Sequence, residues 1–243
     1  MNYLALVLAA ILPSLSAAED ETKSLFNGKD LTGWDGNPEL WSVENGTIIG
    51  KTSGPEQLKH NQFLIWRGGK PKNFVFSAMV KVSGNNSGIQ YRSQELPDNG
   101  KWSVGGYQCD IHQNAPYNAM IYEERGRGII LENGQSVVAD PEGNRWLTEQ
   151  RDSVKVDPAE WHEYTVIAMG NRIMHKIDGE MTIEFHDFDE KARSLEGLIA
   201  FQVHQGPAMK VEIKDIKLKV LPDSDPAPFD KSALPKDAKI IGK

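Results

Sequence analysis

Three short segments of the sequence place groups capable of acid–base chemistry and hydrogen bonding on one face of a predicted strand. Alternate side chains of an extended chain point to opposite faces, so each segment separates an apolar set from a polar set. The polar sets are Gln90 and Arg92 in 88–92, Gln108, Asp110 and His112 in 107–112, and Gln202 and His204 in 198–204. On a shared sheet these groups would form one platform that suits the hydroxyls of a sugar. The plainer alternative is that each polar face is only the solvated side of an antiparallel sheet.

The strands that would carry these side chains belong to an all-β pattern. Short alternating segments separated by glycine and asparagine run through the chain, and no long helical period follows the N-terminal region. The dipeptide Asn45-Gly46 predicts a tight hairpin turn. Turns at Gly170-Asn171 and Asp178-Gly179 predict a three-stranded meander over 165–185.

The later part of the chain departs from simple alternation at two places. Apolar residues change from odd to even positions near Lys214-Asp215, which predicts a β-bulge. Between Glu132 and Glu160 the alternation gives way to Asn, Gly, Asp and Pro. That composition predicts a long surface loop, of the kind that often has a functional role.

The two ends of the chain differ in composition from its middle. The apolar run from Leu4 to Leu15 is followed by the small residues Ser16-Ala17-Ala18, which predicts a signal peptide over 1–18 and a periplasmic or secreted protein. An uncleaved membrane anchor is the alternative, because no Lys or Arg precedes the apolar run. After signal removal we expect no stable membrane insertion. From Pro222 onward Pro, Asp and Lys predict a poorly ordered tail over 222–243.

Overall charge narrows the class of ligand. The formal net charge is −7 and the isoelectric point is near 5.4, so no broad basic field attracts a phosphate backbone. Nucleic acid is therefore not expected as a partner, and neutral ligands fit better. Cys109 is the only cysteine, which excludes an intramolecular disulfide and favours a small buried hydrophobic residue over a catalytic thiol.

Several long motifs resemble one protein family. The runs Gly105-Gly106-Tyr107-Gln108-Cys109-Asp110-Ile111 and Ile121-Tyr122-Glu123-Glu124-Arg125-Gly126-Arg127-Gly128 closely resemble the 3-keto-disaccharide hydrolase family. The segments 25–34, 63–66, 86–93 and 202–210 are also similar to that family. The resemblance implies a concanavalin A-like jelly roll, a β-sandwich of two antiparallel sheets, over 22–221. It also implies cleavage of the glycosidic bond of a keto-sugar.

The implied chemistry assigns roles to the polar side chains. A ketone at C3 acidifies the hydrogen on C2, so a general base removes it, the enolate expels the group at C1, and water adds back. Asp110, His112 and His204 are the candidate acids and bases. Arg92 is the candidate for stabilising the enolate oxygen. Hydroxyl-orienting roles fall to Gln90, Gln108 and Gln202.

Two adjacent glutamates extend the candidate site. Glu123 and Glu124 point to opposite sides of an extended chain, so only one of them faces the groove easily, and we assign Glu123 to catalysis. The alternative is that both carboxylates pair with Arg125 and Arg127 to hold a turn. Tyr122 is a candidate for stacking on a sugar ring, with burial in the core as its alternative.

Other functions remain open at this stage. Asp110 with one glutamate could form the carboxylate pair of an ordinary glycoside hydrolase, at a separation of about 5–10 Å. A carbohydrate-binding module without catalysis is a second alternative. No cofactor is expected, although the Asp-rich loop from Asp30 to Asp35 could supply oxygen ligands to calcium. The expected partners are a saccharide substrate and an upstream sugar oxidoreductase that supplies the ketone.

Overall fold

The computed structural model describes residues 22–243, so the predicted signal peptide lies outside the described residues. Within this range the chain forms two packed β-sheets with three short 3₁₀ helices, which confirms the all-β prediction. No helix among residues 22–243 is long and apolar enough to cross a membrane.

The larger sheet has eleven strands among the described residues. They are β1 (Thr22–Ser24), β3 (Trp41–Glu44), β4 (Thr47–Thr52), β6 (Phe74–Ser83), β11 (Gln135–Ala139), β12 (Arg145–Gln150), β13 (His162–Met169), β14 (Arg172–Ile177), β15 (Glu180–Asp187), β17 (Met209–Val220) and β18 (Lys239–Gly242). Their order is β18-β12-β11-β15-β14-β13-β6-β17-β4-β3, and β1 pairs with β17. The pair β11–β15 is parallel, and the other described pairs of this sheet are antiparallel.

The smaller sheet has seven strands in the same part of the chain. They are β2 (Trp34–Asp35), β5 (Gln62–Trp66), β7 (Ser87–Glu95), β8 (Val104–Ile111), β9 (Ile121–Glu124), β10 (Gly128–Leu131) and β16 (Leu198–Val203). Their order is β10-β9-β8-β7-β16-β5-β2. The 3₁₀ helices are Pro97–Asn99, Ala115–Tyr117 and Lys231–Ala233.

The core lies between the two sheets and follows from strand alternation. In β6 the residues at 74, 76, 78, 80 and 82 are buried, while those between them are partly exposed. Phe76 from the larger sheet packs against Phe201 from the smaller one, with ring centroids 6.1 Å apart, and Trp34 stacks on Phe201 at 5.4 Å. Each such fully buried ring stabilises the fold by about 1.5–3 kcal/mol. The core therefore fixes which face of each strand points outward.

The locally encoded elements agree with the sequence predictions. Asn45 and Gly46 have φ angles of 50° and 74°, as a type I′ turn between β3 and β4 requires. The strands β13, β14 and β15 form the predicted meander. The pairing of β17 with β6 shifts between Lys214 and Lys217, and Asp215 has a φ of 51°, so the predicted bulge is present.

Two segments differ from the predictions. The region 132–160 is not a continuous loop, because it contains β11 and β12, which extend the larger sheet beyond β15. The segment 222–243 also carries regular structure where poor order was expected. Its last residues form β18 on the edge of β12, and Phe229 packs against Phe188 at 5.2 Å between ring centroids. These segments form strands because their backbones pair with strands from other parts of the chain.

The outer face of the smaller sheet is divided into two parts. One part is a small apolar cluster formed by Phe63, Ile65, Val104, Leu198 and Ala200. The segment before β8 covers it, since the Phe63 amide donates to the carbonyl of Trp102. The other part is polar and carries the side chains that the sequence singled out.

Candidate active site

A cavity of about 500 Å³ lies on the polar part of this outer face. Its size falls in the range of sites that bind small molecules. Residues from β8, β9, β10, β16, one 3₁₀ helix and the loops beside them line it: Asn61, Asn86, Gln108, Asp110, His112, Tyr117, Met120, Tyr122, Glu123, Glu124, Arg125, Gly126, Ile129, Gln202, His204 and Gln205. Seven of the nine residues predicted for the site are thus brought together, and Gln90 and Arg92 are not among the lining residues.

A chain of buried amides forms the floor of the cavity. Gln90 and Gln202 both donate to the carbonyl oxygen of Gln108, at 2.8 and 3.1 Å. With its oxygen occupied in this way, Gln108 turns its amide nitrogen to Asp110 and donates to it at 2.7 Å. Ser93 holds Gln90 in the matching orientation by donating to its carbonyl oxygen at 2.5 Å. Gln90 therefore supports the floor from beneath and does not reach the ligand space.

Two details of the floor leave room for a ligand. Gly88 lies opposite Asp110 on the neighbouring strand, and a Cβ there would meet Cδ of Gln108 at 2.3 Å. Glycine is thus needed for Gln108 to lie across the sheet. Oε1 of Gln202 is buried and has no hydrogen-bond partner within the protein. A buried acceptor without a partner costs free energy, so this atom is suited to a ligand hydroxyl.

Asp110 is the most perturbed carboxylate of the cavity. Asp110 is 2% exposed, and burial raises the pKa of its carboxyl group to about 7. The hydrogen bonds from Gln108 and Asn86 oppose that rise, and the charge of Glu124 adds to it. A carboxylate with a pKa near neutrality exchanges protons readily at physiological pH, as a general acid or base must.

The two glutamates lie on opposite faces of β9. Glu123 lies on the same face as core residue Ile121, and its carboxylate binds the side chain of Arg127 at 2.7 Å. Although Glu123 borders the cavity, its oxygens are committed to Arg127, so the assignment of Glu123 to catalysis is corrected. Glu124 points outward beside Gly106 and accepts from Asn61 at 3.2 Å. Burial raises the pKa of Glu124, and the pairing predicted with Arg125 is loose at 3.7 Å.

Arg92 does not line the cavity, because β7 is irregular at this residue. The register between β7 and β8 shifts between Tyr91 and Gln94, and Arg92 has a φ of 48°. Its buried guanidinium donates to the backbone carbonyls of Lys72 and Gly170, at 2.7 and 2.8 Å. The expectation that Arg92 stabilises an enolate is therefore corrected, because its donors hold loops of the larger sheet in place.

The two histidines of the cavity present different ring atoms. Nδ1 of His112 accepts from the backbone amide of Asn114 at 2.9 Å, so the proton of the neutral ring is on Nε2. Burial, and then the nearby His204, lower the pKa of His112 and favour this neutral form. Nδ1 of His204 lies 2.5 Å from the carbonyl oxygen of Gln205 and 3.1 Å from the amide of Asn85. The shorter contact requires a donor, so the neutral His204 ring has its lone pair on Nε2.

Aromatic and amide side chains form the walls. Tyr122 lies on the outer face and is partly exposed, as the stacking role requires, and Tyr117 packs edge-on against His112 at 5.4 Å. Asn61 joins two walls, since it donates to Glu124 and accepts from the amide of Gln205 at 3.0 Å. The six tryptophans, all within residues 22–243, lie outside the lining.

Sequence reasoning chose Glu123 over Glu124 and did not assign Asn61, Asn86 and Tyr117 to the site. Glu124 had a usable signal, because an apolar Ile121 facing the core places residue 123 on the core face and residue 124 outside. Asn61 and Asn86 lie in loops and Tyr117 ends a 3₁₀ helix, and in both settings strand periodicity gives no indication of side-chain direction.

The described residues show no cluster suited to a metal ion. Within 22–243 no group of three or more His, Cys, Asp or Glu side chains converges as ligands would. In the loop considered for calcium, Asp30 accepts from Asn27 and Thr32, while Asp35 accepts from Arg67 and Trp102. These acidic oxygens already have protein donors.

Comparison of the sequence with family models gives one match. The model described as the 3-keto-alpha-glucoside-1,2-lyase-like domain covers residues 21–219. Curated protein sequences give no significant match.

Solved structures support the sandwich architecture. A candidate glycosyl hydrolase from Parabacteroides distasonis is 24% identical with a TM-score of 0.56, over 83% of this chain and 94% of the other. A second from the same organism is 19% identical with a TM-score of 0.55, over 83% and 100%. A protein with a galectin-like fold from Bacillus subtilis is 10% identical with a TM-score of 0.51, over 80% and 92%. At these identities the likeness concerns the fold, and it confirms a concanavalin A-like sandwich.

Proposed function

The chain belongs to the 3-keto-alpha-glucoside-1,2-lyase-like family, and from that premise we propose that it cleaves the glycosidic bond of a 3-keto-glucoside by eliminating across C1 and C2. Family membership places the chain among carbohydrate-active domains that act on glycosides. The reaction type and the residues that perform it are the proposal. One observation carries it: Asp110 and Glu124 share the cavity, and both have raised pKa values.

Asp110 is the proposed general base. Its pKa of about 7 leaves a substantial fraction ionised at neutral pH while keeping the carboxylate basic. The carboxylate takes the proton from C2, and the electrons of the C2–H bond pass to the C3 carbonyl oxygen, which gives an enolate. The C3 carbonyl then forms again as these electrons make the C1–C2 double bond. The C1–O bond breaks, and its electrons go to the leaving oxygen. The amide of Gln108 holds the carboxylate in place through its hydrogen bond.

Glu124 is the proposed general acid. Burial keeps a larger fraction of its carboxyl group protonated than in water, so it can give a proton to the leaving oxygen. Asn61 fixes its position by donating to one oxygen. In this proposal the two carboxyl groups divide the two proton transfers between them.

The neutral His112 ring is proposed to replace Arg92 as the group that stabilises the enolate oxygen at C3. Its Nε2–H is a donor, and a neutral imidazole can polarise a carbonyl without carrying a charge. His204 offers an acceptor at Nε2, and Gln202 offers one at Oε1, for hydroxyls of the substrate. Tyr122 provides a ring face on the wall of the same cavity.

Deuterium at C2 of the substrate tests the proposal. With a C3-oxidised α-glucoside we expect cleavage, loss of the C2 deuterium to solvent and a primary isotope effect on kcat/KM. The unoxidised glucoside is expected to remain intact, because its C2 hydrogen is not acidified. Cleavage of both substrates at similar rates, with C2 deuterium retained, would contradict elimination.

Hydration of the unsaturated product is a separate step in the proposal. If water adds back within the same cavity, the released sugar is one water heavier than the elimination product, and mass spectrometry separates the two. Accumulation of the unsaturated sugar would mark the protein as a lyase alone. The ketone requires a partner that oxidises C3 of the glycoside, and we propose a sugar oxidoreductase in that role.

The same pair of carboxyl groups favours one second candidate. Asp110 and Glu124 could act as the acid and the base of ordinary glycoside hydrolysis, which needs no ketone. The deuterium experiment separates the two reactions, because ordinary hydrolysis does not break the C2–H bond.

A non-catalytic module would bind sugar without turnover of either substrate. Asp110→Asn is the matched variant: for an enzyme we expect kcat to fall by about 100-fold or more, with sugar binding retained.

The proposed location is the periplasm or the extracellular space. The apolar segment followed by small residues near the N-terminus supports this proposal. Cell fractionation combined with N-terminal sequencing of the mature protein tests it, and a protein recovered from the cytoplasm with its first 18 residues intact would contradict it.

A further inference from the structure

A second cavity of about 530 Å³ lies on the opposite side of the sandwich from the candidate active site. Its floor is the outer face of the larger sheet, where Glu184 and His186 alternate with the core residues Ile183 and Phe185. Its wall is the C-terminal segment from Pro228 to Pro235. A ligand bound here cannot reach Asp110, because both sheets and the core lie between the two cavities.

Three rings line this second cavity. The His186 and Phe188 rings are stacked, with centroids 6.4 Å apart and planes inclined by 13°. Phe229 meets Phe188 from the opposite wall at 5.2 Å with an inclination of 61°. Both phenylalanines remain partly exposed to the cavity. Partly exposed rings of this kind offer flat apolar faces, against which the C–H side of a pyranose ring can pack.

Two of the three carboxylates that line the second cavity are paired with arginines that lie outside its lining. Arg151 pairs with Glu149, and Glu184 is paired with Arg172 at 2.7 Å and His186 at 3.1 Å. The carboxylate of Asp230 caps the last 3₁₀ helix by accepting from Ser232. Paired carboxylates still accept hydrogen bonds from hydroxyls, but they attract a cation only weakly. A neutral polyol fits this balance better than an amine.

The wall of this cavity lies outside the residues that the family model covers. The family match ends at residue 219, whereas the wall begins at residue 228. A site shared by the family would be formed by the residues that the family model covers.

We propose that the second cavity binds a neutral saccharide unit and anchors an oligosaccharide or polysaccharide to the face opposite the active site. The inference goes beyond the proposed reaction and does not depend on it. Phe188 and Phe229 supply the stacking surface, and Ser136, Thr148 and Glu149 lie at its polar side. Since the two cavities are separate, small soluble substrates have no need of this site.

The test uses binding of the full mature chain to an array of neutral oligosaccharides and to soluble neutral polysaccharides. We expect Phe229→Ala to weaken binding to the preferred glycan at least tenfold, and Phe229→Trp to restore it. Val220→Ala, which shortens an exposed apolar side chain outside the cavity, is the matched control and should bind as the parent does. Turnover of a soluble C3-oxidised disaccharide should be unchanged in all three variants.

Three results would contradict the binding of a neutral saccharide in the second cavity. Equal glycan binding by the parent and Phe229→Ala would overturn the proposal, as would the absence of glycan binding in the parent. Binding of tetramethylammonium or a lysine peptide at this site in place of sugars would also overturn it. Circular dichroism and thermal unfolding check that each variant is folded. Failure here leaves the C2 deuterium experiment unaffected, so the two proposals are tested separately.

Discussion

Proton affinity at Asp110 depends on neighbours that act in opposite directions. Burial and the charge of Glu124 raise the pKa, while the hydrogen bonds from Gln108 and Asn86 lower it. The amide of Gln108 is directed to Asp110 because its carbonyl oxygen already accepts from Gln90 and Gln202. Gln90, which does not line the cavity, therefore acts on the protonation state of the proposed base through Gln108.

Removal of the charge at Glu124 is expected to move the acidic limb of the pH profile to lower pH. In the parent, kcat/KM should fall below pH about 7 as Asp110 takes up a proton. Glu124→Gln removes a like charge, which lowers the pKa of Asp110 and extends activity into acid, even though the overall rate drops. The measurement is kcat/KM between pH 5 and 9, with exposed Glu160→Gln as the control. An unmoved limb would exclude Asp110 as the titrating group.

Loss of the hydrogen bond from Gln108 should shift the pKa of Asp110 in the opposite direction, upward. Gln108→Leu removes a donor that favours the ionised carboxylate, so the pKa of Asp110 rises and the acidic limb moves to higher pH. The same pH series tests it, together with circular dichroism to confirm folding. A limb that moves in the same direction in both variants would contradict the assignment.

At the scale of elements, an ionic cluster joins the two sheets beneath the cavity. Arg127 binds Glu123 of β9 and Asp187 of β15, each at 2.7 Å, and Asp187 also accepts from Tyr107 at 2.5 Å. Glu123 accepts from the backbone amide of Arg127 as well, so the cluster fixes the turn between β9 and β10. Since Glu124 precedes this turn directly, the cluster also sets the position of the proposed acid.

Removal of the cation from this cluster is expected to destabilise the protein strongly. Arg127→Met leaves the carboxylates of Glu123 and Asp187 buried without a cation to balance their charges, at a cost of about 3–5 kcal/mol. Denaturant unfolding at pH 7 measures the change. Adding Glu123→Gln to Arg127→Met removes one of the uncompensated charges and should recover part of the loss. A loss below about 1 kcal/mol would show that the cluster contributes little.

Elements governed by local rules were predictable from the sequence. The Asn45-Gly46 hairpin, the meander and the bulge near Asp215 each follow from turn residues or from the phase of apolar residues. The strands β11 and β12 pair with each other locally, but they were not predicted, because the residues of β12 are mixed in polarity and the strands that join the pair to the sheet, β15 and β18, are distant in sequence.

The sequence placed site residues correctly where side chains alternate regularly between the two faces of a strand, and wrongly where that alternation is interrupted. Gln108, Asp110 and Gln202 share a face because β8 and β16 are regular at those positions. Arg92 left that face because its strand changes register between Tyr91 and Gln94, and no glycine or proline marks the change in that strand itself. A backbone irregularity at an arginine has no signal in residue type alone.

At the scale of the whole molecule, two buried groups give stability opposite dependences on pH. Burial lowers the pKa of His175 to about 3, below its ordinary 6.5, so the unfolded chain binds more protons between these values. Stability from His175 is therefore lost as the pH falls below about 6.5. Asp110, with its pKa raised from 3.8 to about 7, has the reverse effect and destabilises the fold as the pH rises between these values.

Asp110→Asn should consequently be more stable than the parent in mild alkali and little changed in acid. At pH 8 the parent keeps a buried carboxylate ionised, at a cost on the order of a few kcal/mol that the amide avoids. At pH 4 the parent carboxyl group is already protonated in the folded state. Urea unfolding at both pH values measures the difference. An equal gain at pH 4 and pH 8 would show that ionisation of Asp110 is not its source.

The strand β18 has a consequence for how the protein behaves among copies of itself. It pairs along β12, so that the longer strand does not end the sheet with free amide and carbonyl groups. The edge strand β18 has only four residues, begins with Lys239 and is followed by Lys243. Short edge strands that carry lysine discourage pairing with strands of other molecules. Removal of the last few residues would expose the six-residue backbone of β12 as an edge and favour strand pairing between molecules.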